Sequence, residues 1–248
     1  MNKKINVEKV AEPVREVISS YAQEILNLLG DNVKSIVVFG SAAGKDFVKG
    51  KSNVNMLVVC EDIGLPQLKK CHRLVAKGRR KGIIAPLFFT EFYMQTSSDV
   101  FPIEFLDMAA MHTVIYGDDP FESLEIGTEN LRLECEEQLK GKLVRLRQAY
   151  LEGGGSRKHI RSILIESITS FIPVFKGMLR LKGKTPPIGK REAIDAMGIE
   201  FGMDKELFHK ILDLKLTKVK LSGEELETLY GRYLEEIEKL AMIADKMR

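Results

Sequence analysis

The chain has 248 residues, 38 Lys and Arg against 35 Asp and Glu, and a formal net charge of +3. That length suits one large domain or two small ones, and the ordinary apolar and charged fractions fit a packed globular protein. Three cysteines without CxxC spacing (Cys60, Cys71, Cys135) and four histidines without an i,i+4 pair exclude a disulfide framework and a zinc motif, and fit a reducing cytoplasm.

No apolar run approaches the roughly 18 residues needed to span a bilayer, and no apolar segment follows the basic start Met1-Asn2-Lys3-Lys4. A cytoplasmic protein with no membrane association is expected. Residues 8–29 carry Val10, Val14, Val17, Ile18, Tyr21, Ile25 and Leu28 at helical spacing, with Gly30 as a stop. Ser35–Phe39 and Asn53–Cys60 read as strands, the second buried. Residues 66–80 read as a helix, Pro86–Thr90 as a strand and Glu91–Ser98 as a weak helix. Phe101–Leu106 and Thr113–Tyr116 complete the strand candidates, with Asp107 as a cap for a helix from Met108. This alternation predicts an α/β layer.

The pattern changes after Gly117-Asp118-Asp119-Pro120. Leu131 to Tyr150 marks one long amphipathic helix, broken at Gly153-Gly154-Gly155-Ser156. Ile160 to Leu179 marks a second, which Pro173 should kink. A shorter helix is expected from Pro186-Pro187 to Met197, and another from an Asp204 cap to Leu214. Ser222-Gly223-Glu224-Glu225 reads as an N-cap with an acidic first turn, opening a final helix. The domains expected are 1–122, an α/β unit, and 123–248, a helical bundle.

Val37-Val38-Phe39-Gly40-Ser41, followed by Asn53-Val54-Asn55-Met56-Leu57-Val58-Val59, resembles the signature of the polymerase-β-like nucleotidyltransferase superfamily. Asp46-Phe47-Val48 and Phe101-Pro102-Ile103-Glu104-Phe105-Leu106-Asp107 extend the likeness to nucleotidyltransferase-domain proteins with a helical C-terminal half. The resemblance implies a nucleotidyltransferase-like mixed sheet with flanking helices, α/β in class, plus a C-terminal all-α helical bundle. It also implies that Gly40 and Ser41 cradle phosphate. Lys45 and, on the first long helix of the C-terminal half, Arg145 join them as candidate nucleotide contacts.

Nucleotidyl transfer relies on two divalent cations to absorb developing charge, and Mg²⁺ favours carboxylate ligands. In the superfamily two acidic residues at i and i+2 on a strand share a face and meet that need. Here Asn53 and Asn55 hold those positions, and Glu104 is the match to the third acidic residue, as metal ligand or catalytic base. Two amides remove two negative charges from the site, which implies a degenerate metal centre and an impaired enzyme or pseudoenzyme. Any Mg²⁺ is then expected to arrive with a nucleoside triphosphate. The alternatives are a working transferase moving a nucleoside monophosphate to a hydroxyl, and a structural oligomer with a relic cleft.

Lys69, Lys70, His72, Arg73, Lys77, Arg79, Arg80 and Lys81 crowd one helix and its end. Residues 140–191 hold thirteen Lys and Arg against Glu152 and Glu166, whereas the final segment is acidic. Such basic helices offer a nucleic-acid surface; the reading that carries more weight is a solvated face balanced by the acidic tail. The candidate partners are a nucleotide at the cleft, nucleic acid along the basic helices, and a second copy of the chain.

Overall fold

The computed structural model describes residues 4–44, 47–50, 52–216 and 221–247, without the side chains of residues 215 and 216. It divides into two compact units, Met1–Asp99 with Glu104–Ile126, and Val100–Ile103 with Gly127–Arg248.

In the first unit, Pro13 sits in a short 3-10 turn, Glu12–Val14, so the first α-helix, α1 (Arg15–Leu29), begins later than its apolar spacing predicts. It ends at Gly30, where φ is +56°. Then follow β1 (Val33–Phe39), β2 (Asn55–Cys60), α2 (Leu65–Arg79), β3 (Leu87–Phe89), α3 (Glu91–Ser97), α4 (Pro102–Ala110) and β4 (His112–Gly117). The strands form one mixed sheet in the order β3-β2-β1-β4. β1 is antiparallel to β2 and β4, and β2 is parallel to β3.

Alternation along the central strands divides the apolar side chains between two cores. Ile36, Val38, Val54, Met56 and Val58 pack with Ile18, Tyr21, Ile25, Cys71 and Leu74. Val37, Leu57 and Val59 face the other way, toward Met94, Phe105, Met108 and Phe121. The sheet is thus covered on both faces, which explains why β1 and β2 read as nearly continuous apolar runs.

Phe101–Leu106 is not a strand. Its alternating Phe101, Ile103 and Phe105 fit a period of two, but the chain is helical from Pro102. Proline tolerates the first turn of a helix because its missing N–H would be unpaired there. The next donor, the Ile103 N–H, is accepted by the Glu134 carboxylate at 2.8 Å. Asp107 lies inside α4 rather than capping a later helix.

The second unit is helical: α5 (Thr128–Glu152), α6 (Arg157–Leu181), α7 (Lys190–Phe201), α8 (Lys205–Leu216) and α9 (Gly223–Lys246). Ser156 caps α6 by accepting the His159 N–H, and the Asp204 carboxylate caps α8 through the Leu207 N–H at 3.2 Å. Ser222 and Glu225 form a full capping box on α9. α6 continues through Pro173 and is the core helix, burying Ile160, Leu164, Ile168, Phe171, Phe175 and Met178 among others. Phe175 and Tyr233 each meet Phe208 edge-on at 5.5 Å, the arrangement ring quadrupoles favour.

α6, with 25 residues, is long and apolar enough to cross a membrane by length and composition, although charged residues interrupt it and no unbroken apolar run in it reaches that length. More than half of its most apolar window is buried within the chain, as in the core helix of a bundle. Part of the basic run is matched by the acidic last helix: Arg147 pairs with Glu238 at 3.1 Å and Lys140 with Asp245 at 3.5 Å. Lys184 pairs with Glu200 at 3.0 Å, and Arg191 with Asp213.

Candidate functional site

The site is built where β1 stops. Gly40 adopts φ +71°, a conformation that L side chains rarely hold, and turns the chain out of the sheet. Its N–H donates to Met111 O at 2.9 Å, which ties the turn to the start of β4. Gly40–Ala43 then form a single 3-10 turn rather than the start of an α-helix, closed by Gly44 N–H donating to Ser41 O at 3.3 Å. The Thr113 hydroxyl donates to Ala43 O at 3.3 Å and holds the far side of the turn.

Asn55 opens β2 and lies in register with Phe39, the last residue of β1. Val54 and Met56 point into the first core, so Asn53 and Asn55 share the opposite face with Leu57 and Val59. A Cβ placed on Gly40 would lie 3.3 Å from the Asn55 amide nitrogen. Asn55 is half-buried beside the turn, and Asn53, just before the strand, is exposed. Among the described residues, no hydrogen bond engages the Ser41 hydroxyl or either amide.

Glu104 sits on α4 instead of a strand. Its side chain is exposed, next to Phe105, which is buried against the same sheet face that carries the asparagines. Lys45 and Asp46 lie outside the described residues. Arg145 is an exposed residue of α5 in the second unit.

His112 is the residue that the sequence did not single out. It occupies the position across Phe39 from Asn55, so the three stand in one row over three neighbouring strands. Its Nδ1 faces Ala109 O at 2.8 Å, and its Nε2 faces an Asp119 oxygen at 2.9 Å. The other Asp119 oxygen accepts the Phe121 N–H at 2.9 Å, and the Phe121 ring meets the imidazole edge-on. A carbonyl only accepts, so Nδ1 is the nitrogen that donates to Ala109 O. With both nitrogens engaged, His112 is a fixed wall and not a free general base. It lines a cavity of about 380 Å³ with Asn6, Lys9, Thr113, Val114 and Asp119. No local sequence signal joins it to Asp119, because a loop makes the pair.

Asn53 and Asn55 bring neutral amides to this end of the sheet, and no group of three or more His, Cys, Asp or Glu that could hold a metal occurs among the described residues. The three thiols are buried. Burial pushes Cys60 up to about 11 and Cys135 up to about 12, and raises Cys71.

No family model matches the chain, and no curated protein does. Among solved structures, it is similar to spectinomycin adenyltransferase AAD(9) from Enterococcus faecialis, determined with ATP and spectinomycin. The TM-score is 0.57 at 15% identity, over 89% of this chain and 97% of that one. The fold is therefore nucleotidyltransferase-like: a mixed four-stranded sheet with flanking helices, joined to a helical C-terminal region.

Proposed function

We propose that this protein binds a nucleoside triphosphate at the Gly40–Ser41 turn and acts as a binding or regulatory module with little or no transferase activity. The observation that carries the reading is the neutral Asn55 amide packed beside Gly40, where the resemblance leads one to expect a carboxylate. An amide oxygen can ligate a hard cation, but it supplies none of the charge that holds magnesium against a triphosphate. The turn itself keeps what a phosphate needs: a glycine that lets the ligand approach the backbone, and a serine hydroxyl that no described residue engages.

The solved neighbour makes ATP the first nucleotide to try. Isothermal titration with ATP, with magnesium and then with EDTA, tests the reading. Binding that persists in EDTA is expected. A flat trace with every NTP would remove the nucleotide site and leave a relic cleft.

A second reading, transfer of a nucleoside monophosphate to a hydroxyl, draws on the same neighbour, whose printed name is that of an adenyltransferase. In that reading Ser41 positions the phosphate, and Glu104 holds metal or acts as base. Transfer of label from α-labelled ATP to an acceptor, abolished by Glu104→Gln, would replace the first reading with this one.

A further inference from the structure

The ion pairs of the second unit leave one basic surface unbalanced. Lys69, Lys70, His72, Arg73, Lys77 and Arg79 are all exposed on α2, and Arg80 and Lys81 follow in its exit turn. No Asp or Glu occurs between Asp62 and Glu91. Lys77 pairs with Glu24, but the other six Lys and Arg make no ion pair among the described residues. Setting these seven cations aside leaves 31 Lys and Arg in the rest of the chain against 35 Asp and Glu. The positive balance of the protein therefore resides on this one helix and its end.

The cations also have an order. At 100° per residue Lys69, Arg73 and Arg80 fall on one line, with Lys70 and Lys77 on one side of it and His72 and Arg79 on the other. Eleven residues at the helical rise make that line about 16 Å long. One end reaches the start of β2. Just past Lys81, Gly82 O accepts the Val54 N–H at 2.9 Å, and the Ile84 N–H donates to Val54 O at 3.0 Å. Val54 stands between Asn53 and Asn55, so the Arg79–Lys81 end lies beside the strand that carries the amides.

We propose that α2 is a docking track for the phosphodiester backbone of a nucleic-acid strand, which it leads to the end of the sheet where β2 begins. The track rests on the proposed nucleotide site only for its direction; the binding itself does not depend on that reading. A row of Lys and Arg over this length suits a chain of regularly spaced phosphates and reads no base sequence. A lipid surface fits less well, because a helix lying on a bilayer must bury a wide apolar face in it. The apolar side of α2, Cys71, Leu74 and Gly78, is already packed inside the protein, with Gly78 against the Tyr21 ring. Its large exposed apolar residues, Leu65 and Leu68, are confined to the first turn.

The test is fluorescence anisotropy with a fluorescein-labelled single-stranded oligoribonucleotide of about 20 nucleotides and the full-length chain. Four or five phosphate contacts give a salt slope near −3, so affinity should fall roughly fifty-fold between 50 and 200 mM salt. Lys69→Glu with Lys70→Glu and Arg73→Glu should weaken binding at least tenfold and flatten that slope, as should the milder Lys69→Gln with Arg73→Gln. Lys158→Glu, on the exposed start of α6, should leave binding intact. The track is overturned by no binding at 50 mM salt, by wild-type affinity in both α2 variants, or by an equal loss in Lys158→Glu, which would mean net charge alone. It is also overturned if the α2 variants lose binding to phosphatidylserine vesicles but keep the oligonucleotide. A flat ATP titration alongside α2-dependent RNA binding would sink the nucleotide site and leave the track standing.

Discussion

Asn55 opens β2 and Gly40 follows β1, 15 residues earlier in the chain, yet a Cβ on Gly40 would lie 3.3 Å from the Asn55 amide nitrogen. In the proposed reading, that amide stands where the resemblance leads one to expect a carboxylate. Asn53→Asp with Asn55→Asp restores two charges on one face of the strand. Mg²⁺ affinity is expected to rise on the order of tenfold or more, since each nearby charge adds Coulomb attraction in a partly desolvated site. An unchanged calorimetric metal titration would mean the two side chains do not converge.

Gly40→Ala forces an L side chain into φ +71° and against Asn55. A cost of about 1–2 kcal/mol follows from the backbone alone. The expected readout is a lower thermal midpoint together with weaker ATP binding. Stability lost with ATP affinity intact would detach the turn from phosphate.

Glu134 is buried, and it accepts the Ile103 N–H that opens α4. Glu134→Ala leaves that donor without its acceptor and should cost about 1–3 kcal/mol in denaturant unfolding. Glu134→Gln keeps an acceptor oxygen and should recover much of the loss. If both variants lose the same amount, the charge matters and the cap does not.

Phe208 joins Phe175 and Tyr233 in the aromatic centre of the bundle and is fully buried. Phe208→Ala opens a cavity there, with an expected loss of about 3–5 kcal/mol. A loss below about 1 kcal/mol would mean that the bundle collapses into the space.

Hydrogen bonds from Lys140 and Arg132 hold the Glu136 carboxyl down at about 2, against an ordinary 4.5. A carboxyl depressed in the folded state stabilises it above the unfolded value, and that contribution is lost as pH falls through the folded value. The stability gap between wild type and Glu136→Gln should thus be constant above about pH 5 and close between about pH 4.5 and 2. Solvent screening keeps the gap to about 1 kcal/mol or less. A gap that does not change over this range would mean the pair contributes nothing.

Helix starts and stops were legible where side chains act on their own neighbours. The Ser222 and Asp204 caps and the Ser156 break are local hydrogen bonds, so composition reveals them. Phe101–Leu106 misled because the donor that favours helix there is accepted by Glu134, 31 residues further along. His112 escaped notice for a related reason: its row-mate Asn55 and its clamp Asp119 become neighbours only through strand register and a loop.

The sequence alone determined the Gly-Ser turn, the paired asparagine face and the concentration of charge on residues 69–81, since these follow from residue type and spacing. Tertiary structure decided which of those charges are matched, which helix carries Glu104, and that Asn55, Gly40 and His112 share one end of the sheet. Spacing fixes which way a side chain points from its own strand or helix. Only folding fixes what stands opposite it, because that depends on contacts between residues far apart in the chain.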